Sequence, residues 1–348
     1  MNNVSIEEFH VLKNLVGCNT IKDCENKKIL DYIESYLKPK GFITESKTNN
    51  LVMSIGKYPK IGFLGHTDTV EYIDEFKTPF NLTLKDNYLY GLGACDMKGG
   101  IAAMLDAVAK IDFSKLKGGM KLYFTYDEEI GFGGINELVD NNNQFPEVMI
   151  FGEPTNNEPL VGSKGLMEYE ITFKGLKAHS SDPDKGISAN LNAVKFLYEL
   201  EGFYNSEIKP DSEKHYLIPY TTMNVGLING GSAKNSVPAS CKVSIDFRVI
   251  NKEHMDKIEK KVDQLAKIYK ASVSMIECIK PFIDNVNFYD EIKTANFMTE
   301  ASLVKDCSKR IILGTGPMTA HEVNEHISVD SYRKLVKQYE ELIYKICK

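Results

Sequence analysis

Polar side chains that can bind metal ions follow several apolar runs of this 348-residue chain. Histidine and carboxylate groups are ligands that zinc accepts, and a carboxylate can bridge two cations as a single imidazole cannot. A further carboxylate, Asp96, lies in the glycine-rich segment YGLGACDMKGG ahead of a predicted helix. If these groups converge, they predict a site for two divalent metal ions. The groups that follow the apolar runs are His66 and Asp68 in GFLGHTDTV, Glu128 and Glu129 in LYFTYDEE, Glu153 in MIFGEPT, and His321 in IILGTGPMTAHEVNE.

The spacing within two of these stretches predicts which groups bind metal and which act beside it. His66 and Asp68 are two residues apart, so in a strand both side chains point to one face, where the carboxylate can hold the second imidazole nitrogen. The side chains of the adjacent Glu128 and Glu129 diverge in an extended segment, so one can bind metal while the other accepts a proton. Two neighbouring buried carboxylates repel each other unless cations are present. A divalent cation beside a carboxylate base is the apparatus that hydrolyses an amide.

Each pattern has a simpler structural explanation when it is taken alone. A histidine two residues before an aspartate is a common turn feature, adjacent glutamates commonly form a solvated face, and Asp-Met-Lys-Gly-Gly can simply begin a helix. His326, five residues after His321, is an alternative ligand at the last position. The joint occurrence of these groups at strand ends and at the start of a helix favours the metal site.

The apolar runs predict the elements that position these groups. Several runs are nearly continuous in apolar residues, as expected of strands buried on both faces of a largely parallel sheet. In such open sheets the ligand site lies outside the carboxyl ends of the strands. Helices are predicted between the strands, and a long amphipathic helix with an apolar face from Val329 to Ile343 closes the chain. The predicted strands cover residues 51–55, 61–64, 122–126, 148–151 and 311–313.

The middle of the chain follows the β-α-β-β-α-β order of a ferredoxin-like unit. We therefore expect an α/β fold with a mostly parallel central sheet and flanking helices, interrupted by an inserted α+β domain. Residues 1–163 and 280–348 are predicted to form the first domain, and residues 164–279 the inserted one. The elements of the insert are strand 166–174, helix 189–200, strands 222–228 and 241–250, helix 254–269 and strand 272–278.

Composition and charge narrow the class of partner. The chain has 42 Lys plus Arg against 48 Asp plus Glu, a formal net charge of -6 with no concentrated basic stripe, which argues against nucleic acid as the main partner. Its seven cysteines form an odd set without a C-x-x-C pair, so a reducing cytoplasm is indicated. The sequence shows neither a secretory signal nor an apolar stretch long enough to span a membrane. We therefore expect a cytoplasmic protein that acts on small molecules.

Taken together, the motifs resemble one known family, the co-catalytic zinc deacetylases, desuccinylases, aminoacylases and carboxypeptidases that share a metallopeptidase fold. No single motif carries the resemblance, because the whole series occurs in the family's order between residues 65 and 325. The resemblance implies two zinc ions, and the same donor set accepts cobalt or manganese. The matching stretches are GHTDTV, YGLGACDMKGG, TYDEE, GEPT, KAHSSDPDKG and GPMTAHEVNE.

The resemblance also implies a role for each residue of the metal site. Glu128 is the implied general base, and Asp68 is the residue that orients His66. The implied ligands are Asp96 as the bridge between two metals, His66 and Glu153 on one metal, and Glu129 and His321 on the other.

Further residues are implied to contact the substrate. His179 matches the family histidine that reaches across a homodimer, through the inserted lid domain, and stabilises the oxyanion in the partner's active site. Arg248 in SIDFRV resembles the family arginine that binds a substrate carboxylate with a planar fork. For each of these two, an ordinary turn or surface position remains the alternative. The other candidates are Asn224 in TTMNVG and Asn235 in GGSAKNSVP, near the substrate, and Gly314 and Gly316 in LGTGP, whose amides would approach the substrate carboxylate.

Finer features resemble those family members that deacetylate N-acetyl-L-ornithine. They are HSSDPDKG, the stretch HYLIPYTTMNVGLINGG, and MTEAS at residues 298–302. The implied reaction is hydrolysis of N-acetyl-L-ornithine to ornithine and acetate, a step of arginine biosynthesis. The alternatives are a succinyl-diaminopimelate desuccinylase, another N-acyl-amino-acid hydrolase or a dipeptidase, and, from a different class, a noncatalytic metal-binding scaffold. The presence of Glu128 beside the complete ligand set favours an enzyme.

Overall fold

The structure, a computed structural model, describes residues 4–22, 24–72, 75–141, 143–287, 289 and 291–348. The chain folds into two compact units. Unit 1 comprises Met1–Val161, Asp284–Asp290 and Thr299–Lys348, and unit 2 comprises Gly162–Ile283 and Glu291–Met298. Unit 2 is therefore inserted in the sequence between parts of unit 1.

The regular elements are numbered in chain order. The α-helices are α1 (His10–Val16), α2 (Asn26–Leu37), α3 (Lys98–Lys110), α4 (Gly133–Asp140), α5 (Ala189–Phe203), α6 (Lys252–Tyr269) and α7 (Val329–Cys347). The strands are β1 (Ile43–Lys47), β2 (Leu51–Ile55), β3 (Pro59–His66), β4 (Thr83–Lys85), β5 (Tyr88–Tyr90), β6 (Gly119–Thr125), β7 (Val148–Phe151), β8 (Gly162–Ser163), β9 (Gly165–Lys174), β10 (Thr222–Gly230), β11 (Ser240–Val249), β12 (Ala271–Ile279), β13 (Phe282–Ile283), β14 (Lys309–Ile312) and β15 (His326–Ser328). In the described part of the chain, no helix is both long enough and apolar enough to cross a bilayer.

Unit 1 is built on a six-stranded sheet with the strand order β1-β2-β6-β3-β7-β14. Strands β6, β3, β7 and β14 run parallel to one another, whereas β1 and β2 join the sheet through antiparallel pairs. The predicted α/β class with a mostly parallel central sheet is thereby confirmed. The sequence prediction lacked β1, because its sequence ITESK forms an exposed edge strand with no apolar run.

The register of the parallel strands places their carboxyl ends at one edge of the sheet. His66 pairs with Thr125, Leu64 pairs with Phe151, and Phe151 pairs with Ile312. The segments that follow β6, β7 and β14 therefore begin close to His66, the last residue of β3.

Helix α3 approaches the sheet closely because its second and third residues are glycines. A Cβ atom on Gly100 would lie only 2.1 Å from the carbonyl oxygen of Gly152, the residue that follows β7. No side chain fits at this contact. Helix α7 packs against α3 and against β3, where the ring of Tyr339 meets that of Phe63 edge-on with a centroid separation of 5.8 Å. The Tyr339 hydroxyl donates a hydrogen bond to the Leu313 carbonyl just after β14. These contacts fix the helices relative to the carboxyl ends of the strands.

A small antiparallel sheet with the order β15-β5-β4 completes unit 1. In it, His326 pairs with Tyr90 and Ser328 pairs with Tyr88. Strand β15 leads directly into α7, whose N-cap is Ser328. The small sheet therefore holds the end of the segment that carries His321.

Unit 2 consists mainly of β9, α5, β10, β11, α6 and β12, the predicted β-α-β-β-α-β order. Its four long strands form an antiparallel sheet with the order β10-β11-β9-β12. Apolar residues of α5 and α6 pack against alternate residues of the strands and form one buried cluster. Strand β10 lies at an edge of this sheet.

The buried ion pair between Arg310 and Asp284 predicts a large loss of stability when one partner is removed. Arg310 in β14 donates from Nε at 2.8 Å and from Nη2 at 2.7 Å to the two carboxylate oxygens of Asp284. The two side chains are only 13% and 11% exposed. Asp284→Asn leaves a buried guanidinium without its counter-charge, so we expect the free energy of unfolding to fall by about 3 kcal/mol. Urea denaturation followed by circular dichroism measures this change.

The adjacent pair of Lys309 and Glu147 provides the matched control. Its Nζ–Oε1 distance is 2.8 Å, but its side chains are 24% and 65% exposed. Because solvent screens such a pair, Glu147→Gln is expected to cost less than about 1 kcal/mol. If both variants lost the same free energy of unfolding, the buried pair would contribute no more to stability than the exposed one, which would contradict the prediction.

Candidate metal centre

Segments that leave the parallel strands bring possible ligands together at the carboxyl edge of the central sheet. His66 is the last residue of β3 and is fully buried. Glu128 and Glu129 follow β6 in a turn, and Glu153 lies two residues after β7. His321 lies in the connection between β14 and β15. The apolar strands are buried between helices, so their polar continuations converge at this edge of the sheet.

The turn after β6 sets the directions of the two glutamates. Asp127 has a φ of +60°, and its main-chain carbonyl accepts a hydrogen bond from the N–H of Phe132. Its carboxylate accepts the N–H of Gly133, the first residue of α4, at 3.2 Å. The N–H of Glu129 donates to Asp68 Oδ2 at 3.0 Å. The backbone that carries the glutamates is therefore fixed from both sides.

The first group of possible metal ligands consists of His66, Asp96 and Glu153. One ligand atom of each residue lies within 4.8 Å of those of the other two. The Nε2 atom of His66 is 3.2 Å from Asp96 Oδ1 and 4.0 Å from Glu153 Oε1. One imidazole nitrogen with two carboxylates is a donor set for a divalent cation such as zinc.

The second group consists of Asp96, Glu129 and His321, again with ligand atoms within 4.8 Å of one another. The Nε2 atom of His321 is 3.2 Å from Glu129 Oε1 and 3.6 Å from Asp96 Oδ2. Asp96 therefore directs one oxygen toward each of the two histidines, as a carboxylate shared by two cations must. The His321 side chain is 54% exposed, so this group is the one open to solvent.

Glu128 lies beside these two groups without being a member of either. Its ligand atom lies within 4.8 Å of those of His66 and Glu129. Both groups contain Asp96, whereas this third set does not. Each of the two groups that contain Asp96 has three possible ligands without Glu128. Glu128 is therefore a carboxylate beside the metal centre that is not needed as a ligand.

Asp68 fixes the orientation of His66. The Nδ1 atom of His66 lies 3.1 Å from the Asp68 carbonyl oxygen and 3.4 Å from Asp68 Oδ1. With only oxygen acceptors on that side, Nδ1 carries the proton and donates it. In the neutral imidazole, the form that binds a metal, the Nε2 atom then carries the lone pair and faces Asp96 and Glu153. The sequence predicts the Asp68 carboxylate as the partner of this nitrogen, and in the structure the carbonyl oxygen of the same residue lies nearer to it.

The pKa values at the centre reflect the crowding of buried acids. Burial raises the pKa of Glu153 well above its ordinary value, and the charge of Asp96 raises it further. Burial likewise raises the pKa of Glu128, and nearby carboxylates add to the rise. Burial opposes ionisation of Asp96 too, but the hydrogen bond from His66 and the charges of His66 and His321 outweigh it and lower the pKa.

This electrostatic pattern fits a pair of divalent cations. Carboxylates held this close repel one another when all are ionised, and positive charge among them removes that repulsion. The donors are carboxylate oxygens and imidazole nitrogens, which are ligands of zinc and of related divalent ions. The two groups that share Asp96 are therefore able to hold two cations.

Two buried carboxylates near the centre received no role from the sequence. Glu300 is 1% exposed, and its Oε2 accepts a hydrogen bond from Thr125 Oγ1 at 3.1 Å, at the end of β6. Glu325 is 2% exposed and lies four residues after His321. Both belong to motifs quoted above, MTEAS and GPMTAHEVNE. Their presence in these motifs is the feature of the sequence that could have identified them. A sequence does not show which carboxylate is buried.

The alternative ligand His326 does not join either group among the described residues. Its ring packs between Tyr88 and Tyr90, with centroid separations of 5.1 and 4.9 Å. Its Nδ1 forms a 2.7 Å hydrogen bond with the Asn324 carbonyl. The geometry therefore favours His321 over His326.

The main-chain N–H groups of Gly314 and Gly316 donate hydrogen bonds to side chains within unit 1. The N–H of Gly314 donates to Thr155 Oγ1 at 3.1 Å, and that of Gly316 donates to Ser331 Oγ at 2.8 Å. A Cβ on Gly314 would lie 2.1 Å from the carbonyl oxygen of Glu153, so glycine is required for close packing here. These bonds argue against the predicted role of the two amides in substrate binding.

The remaining predicted site residues lie in unit 2. His179 is exposed, and its Nδ1 accepts the N–H of Ser181 at 3.2 Å. Arg248 in β11 donates from Nε at 3.1 Å and from Nη2 at 3.0 Å to Asp246. Asn224 in β10 and Asn235, in the loop before β11, are exposed.

Known proteins resemble this chain along nearly its whole length. Residues 161–272 match the family model described as the M20 peptidase dimerisation domain. The acetylornithine deacetylase of Photorhabdus laumondii is 31% identical, over 91% of this chain and 90% of that relative. The acetylornithine deacetylase of Pasteurella multocida is also 31% identical, over 93% and 92%.

Solved structures share the fold. A tripeptidase from Staphylococcus aureus has a TM-score of 0.80 at 22% identity and covers 99% of each chain. A metallo-carboxypeptidase of the M20 family from Sulfolobus solfataricus has a TM-score of 0.78 at 19% identity, covering 98% of this chain and 99% of that one. A dinuclear metal-binding peptidase of the M20 family from Bacillus subtilis has a TM-score of 0.71 at 13% identity, with the same coverage.

The buried acids predict that the metal-free protein loses stability as the pH rises. Burial raises the pKa of Glu300 from 4.5 to about 7, so the folded state binds this proton more tightly than the unfolded state. The stabilising contribution is complete below pH 4.5 and is lost as the pH rises through about 7. At about 1.4 kcal/mol per pKa unit it amounts to about 3 kcal/mol. Scanning calorimetry of chelator-treated protein should show a melting temperature that falls over this range.

Two controls separate this effect from a general response to pH. Glu300→Gln removes one titrating group and should flatten the dependence. A saturating divalent cation should flatten it as well, because the metal stabilises the ionised carboxylates of the folded state. A melting temperature of the metal-free protein that rises with pH over this range would contradict the prediction.

Proposed function

This chain belongs to the M20 family of metal-dependent amide hydrolases, and we propose that it hydrolyses N-acetyl-L-ornithine to ornithine and acetate. The observation that carries the proposal is the 31% identity, over about nine-tenths of the chain, to relatives that are acetylornithine deacetylases. The two ligand groups that share Asp96 support the same chemistry, because both use the donors that a hydrolytic metal pair requires.

Two divalent cations, which we propose to be zinc, would be held by the two groups that contain Asp96. Cobalt or manganese suits the same donors. When bound, the cations supply the Lewis acidity that polarises the acyl carbonyl and acidifies water. The ligands proposed for them are His66 and Glu153 for one cation, Glu129 and His321 for the other, and Asp96 for both.

Glu128 is the proposed general base. It lies beside His66 and Glu129, and both metal groups can be completed without it. Burial raises the pKa of Glu128, which strengthens it as a base. Its carboxylate would take a proton from the attacking water and pass that proton to the departing amine. Asp68 holds the Nδ1–H of His66, so that the Nε2 atom stays directed toward the centre.

We propose that unit 2, as a lid, supplies the contacts to the substrate. His179 accepts the Ser181 N–H at Nδ1, which leaves its proton on Nε2, where it can be donated to an oxyanion in a partner subunit. Arg248 is proposed to bind the α-carboxylate, and Asp246 orients its guanidinium from one edge. Asn224 and Asn235 are proposed to line the same site.

The protein is proposed to act as a homodimer through unit 2. Residues 161–272 match a peptidase dimerisation domain. One face of α5, together with Ile187 two residues before the helix, carries an exposed apolar stripe, and β10 leaves a sheet edge open to pairing. A second copy covers both features in one interface, since like strands and helices can pair about a two-fold axis. The exposed apolar residues are Ile187, Leu191, Val194 and Tyr198 on the stripe, and Leu227 and Ile228 on the edge strand.

A reducing compartment suits this chain. All seven cysteines are unpaired, and five of them are buried. Structural disulfides characterise oxidising compartments, so we propose that the protein works in the cytoplasm on a small N-acyl amino acid.

The substrate proposal predicts a clear order of reactivity. With two equivalents of zinc, the wild-type protein should release acetate from N-acetyl-L-ornithine faster than it cleaves N-succinyl-diaminopimelate, N-acetyl-methionine or a dipeptide. Glu128→Gln should lower kcat about 10³-fold, because the variant cannot accept the proton of the attacking water. Chromatographic separation of each freed amino acid from its substrate measures both effects.

Metal analysis provides the control for this experiment. Glu128→Gln should keep two metal equivalents, whereas the neighbouring Glu129→Gln should lose affinity for one of them. A chelator should abolish turnover by the wild-type protein. Faster cleavage of another substrate would overturn the substrate proposal, and two bound metals without turnover on any substrate would favour the noncatalytic scaffold.

The dimer proposal predicts that charges on the apolar stripe give a monomer. Leu191→Glu combined with Tyr198→Glu places carboxylates at positions that are 59% and 78% exposed, so each unit should still fold while the interface is repelled. Light scattering after gel filtration should give twice the chain mass for the wild-type protein and the chain mass for the variant. Lys260→Glu on α6 is the charge-changing control and should remain dimeric. A variant that stays dimeric would contradict this assignment of the interface.

A further inference from the structure

Glu325 is a buried carboxylate that binds the backbone of the loop carrying Asp96. Its Oε2 accepts the N–H of Gly93 at 2.6 Å, and its Oε1 accepts the N–H groups of Cys95 at 2.7 Å and of Asp96 at 2.9 Å. Its own carbonyl oxygen accepts the N–H of Gly91 at 3.1 Å. One residue thus accepts four hydrogen bonds from the loop.

The loop needs such an acceptor because it is buried and irregular. Residues 91–96 lie between β5 and α3, outside any strand or helix, so the sheet and helix ladders do not satisfy their amides. A buried N–H group without a partner destabilises the fold, so an internal acceptor is required. Gly93 has a φ of +76°, in the left-handed region that favours glycine. The N–H groups of Gly93, Cys95 and Asp96 all reach Glu325, whereas that of Ala94 donates to the Gly91 carbonyl. A carboxylate with two oxygens is a strong acceptor for the N–H groups that reach it.

Neighbouring contacts hold the same loop from its other sides. The fully buried ammonium group of Lys98 donates to the Cys18 carbonyl at 2.9 Å. The N–H of Lys98 donates to the Gly93 carbonyl at 2.8 Å, and the thiol of Cys95 lies 3.4 Å from the Pro317 carbonyl. These bonds anchor the ends of the loop, whereas Glu325 binds the amide of Asp96 itself.

Glu325 also belongs to the segment that carries His321. The two residues are four positions apart, and the N–H of Asp96 is bonded to Glu325 while Asp96 Oδ2 faces His321 Nε2 at 3.6 Å. The bond from the Asp96 amide to Glu325 therefore links the shared carboxylate directly to the segment of the second histidine. We propose that Glu325 is a positioning residue of the metal centre, which holds Asp96 in register with His321.

This inference rests on the proposed metal-dependent function. It requires a side chain at position 325 that accepts hydrogen bonds with both of its terminal atoms. Glutamine has the same shape, but its amide nitrogen is a donor and would face the N–H of Gly93 or those of Cys95 and Asp96. Aspartate keeps the charge but is shorter by one methylene. Both changes should displace the loop while leaving every metal ligand in the chain.

The test compares Glu325→Gln and Glu325→Asp with the wild-type protein by titration with Co²⁺. Removal of a group that orients metal ligands typically weakens metal binding about 10- to 100-fold, and we expect that range for Glu325→Gln and a smaller loss for Glu325→Asp. The visible absorption of the bound Co²⁺, which reports ligand geometry, should change in both variants. At saturating Co²⁺, KM for the substrate should stay within about twofold while kcat remains lowered.

Glu322→Gln is the matched control, because Glu322 is an exposed glutamate of the same segment. It should bind Co²⁺ as the wild-type protein does, with the same spectrum. If Glu325→Gln fails to fold, Glu325→Asp alone decides the outcome through the same titration. Unchanged affinity and an unchanged spectrum in the folded variants would overturn the positioning role. A wild-type protein that binds no Co²⁺ would instead overturn the proposed function on which this inference rests.

Discussion

Carboxylates that are crowded into a buried volume repel one another, and much of unit 1 serves to hold such a cluster in place. Asp68, Asp96, Glu128, Glu129 and Glu153 converge at the carboxyl edge of the sheet, around the fully buried His66. The raised pKa values of Glu128 and Glu153 show that burial and like charge oppose ionisation there. The folded state is stable with these carboxylates ionised only if other interactions offset their repulsion. Cations bound among the carboxylates would provide that offset.

Close backbone contacts hold the segments that carry the cluster. Gly100 lets α3 approach the end of β7, and Gly314 lets the chain after β14 pass against the backbone of Glu153. The turn at Asp127 and the N–H of Glu129 bound to Asp68 fix the glutamates after β6. The segments that carry Glu128, Glu129 and Glu153 are therefore held by close backbone contacts, and the geometry of the site does not depend on the side chains alone.

The sequence predicted the elements whose signal is local. Apolar runs identified β2, β3, β6, β7 and β14, and the motifs at their ends identified the groups that the structure brings together. Strand β1 escaped prediction because an exposed edge strand needs no apolar run. The amides of Gly314 and Gly316 bind Thr155 and Ser331, partners that sequence spacing does not reveal. Which carboxylate is buried, as for Glu300 and Glu325, depends in the same way on contacts between residues far apart in the chain.

Asp96 explains why the two ligand groups cannot be treated as independent sites. Its Oδ1 faces His66 and its Oδ2 faces His321, so a rotation or shift that improves one contact worsens the other. Side-chain packing alone would leave such a residue free to favour one partner. Three amides around it, including its own, are instead bonded to one buried carboxylate from the segment of His321. These three hydrogen bonds thus restrain the backbone of the residue whose displacement would disturb both groups at once.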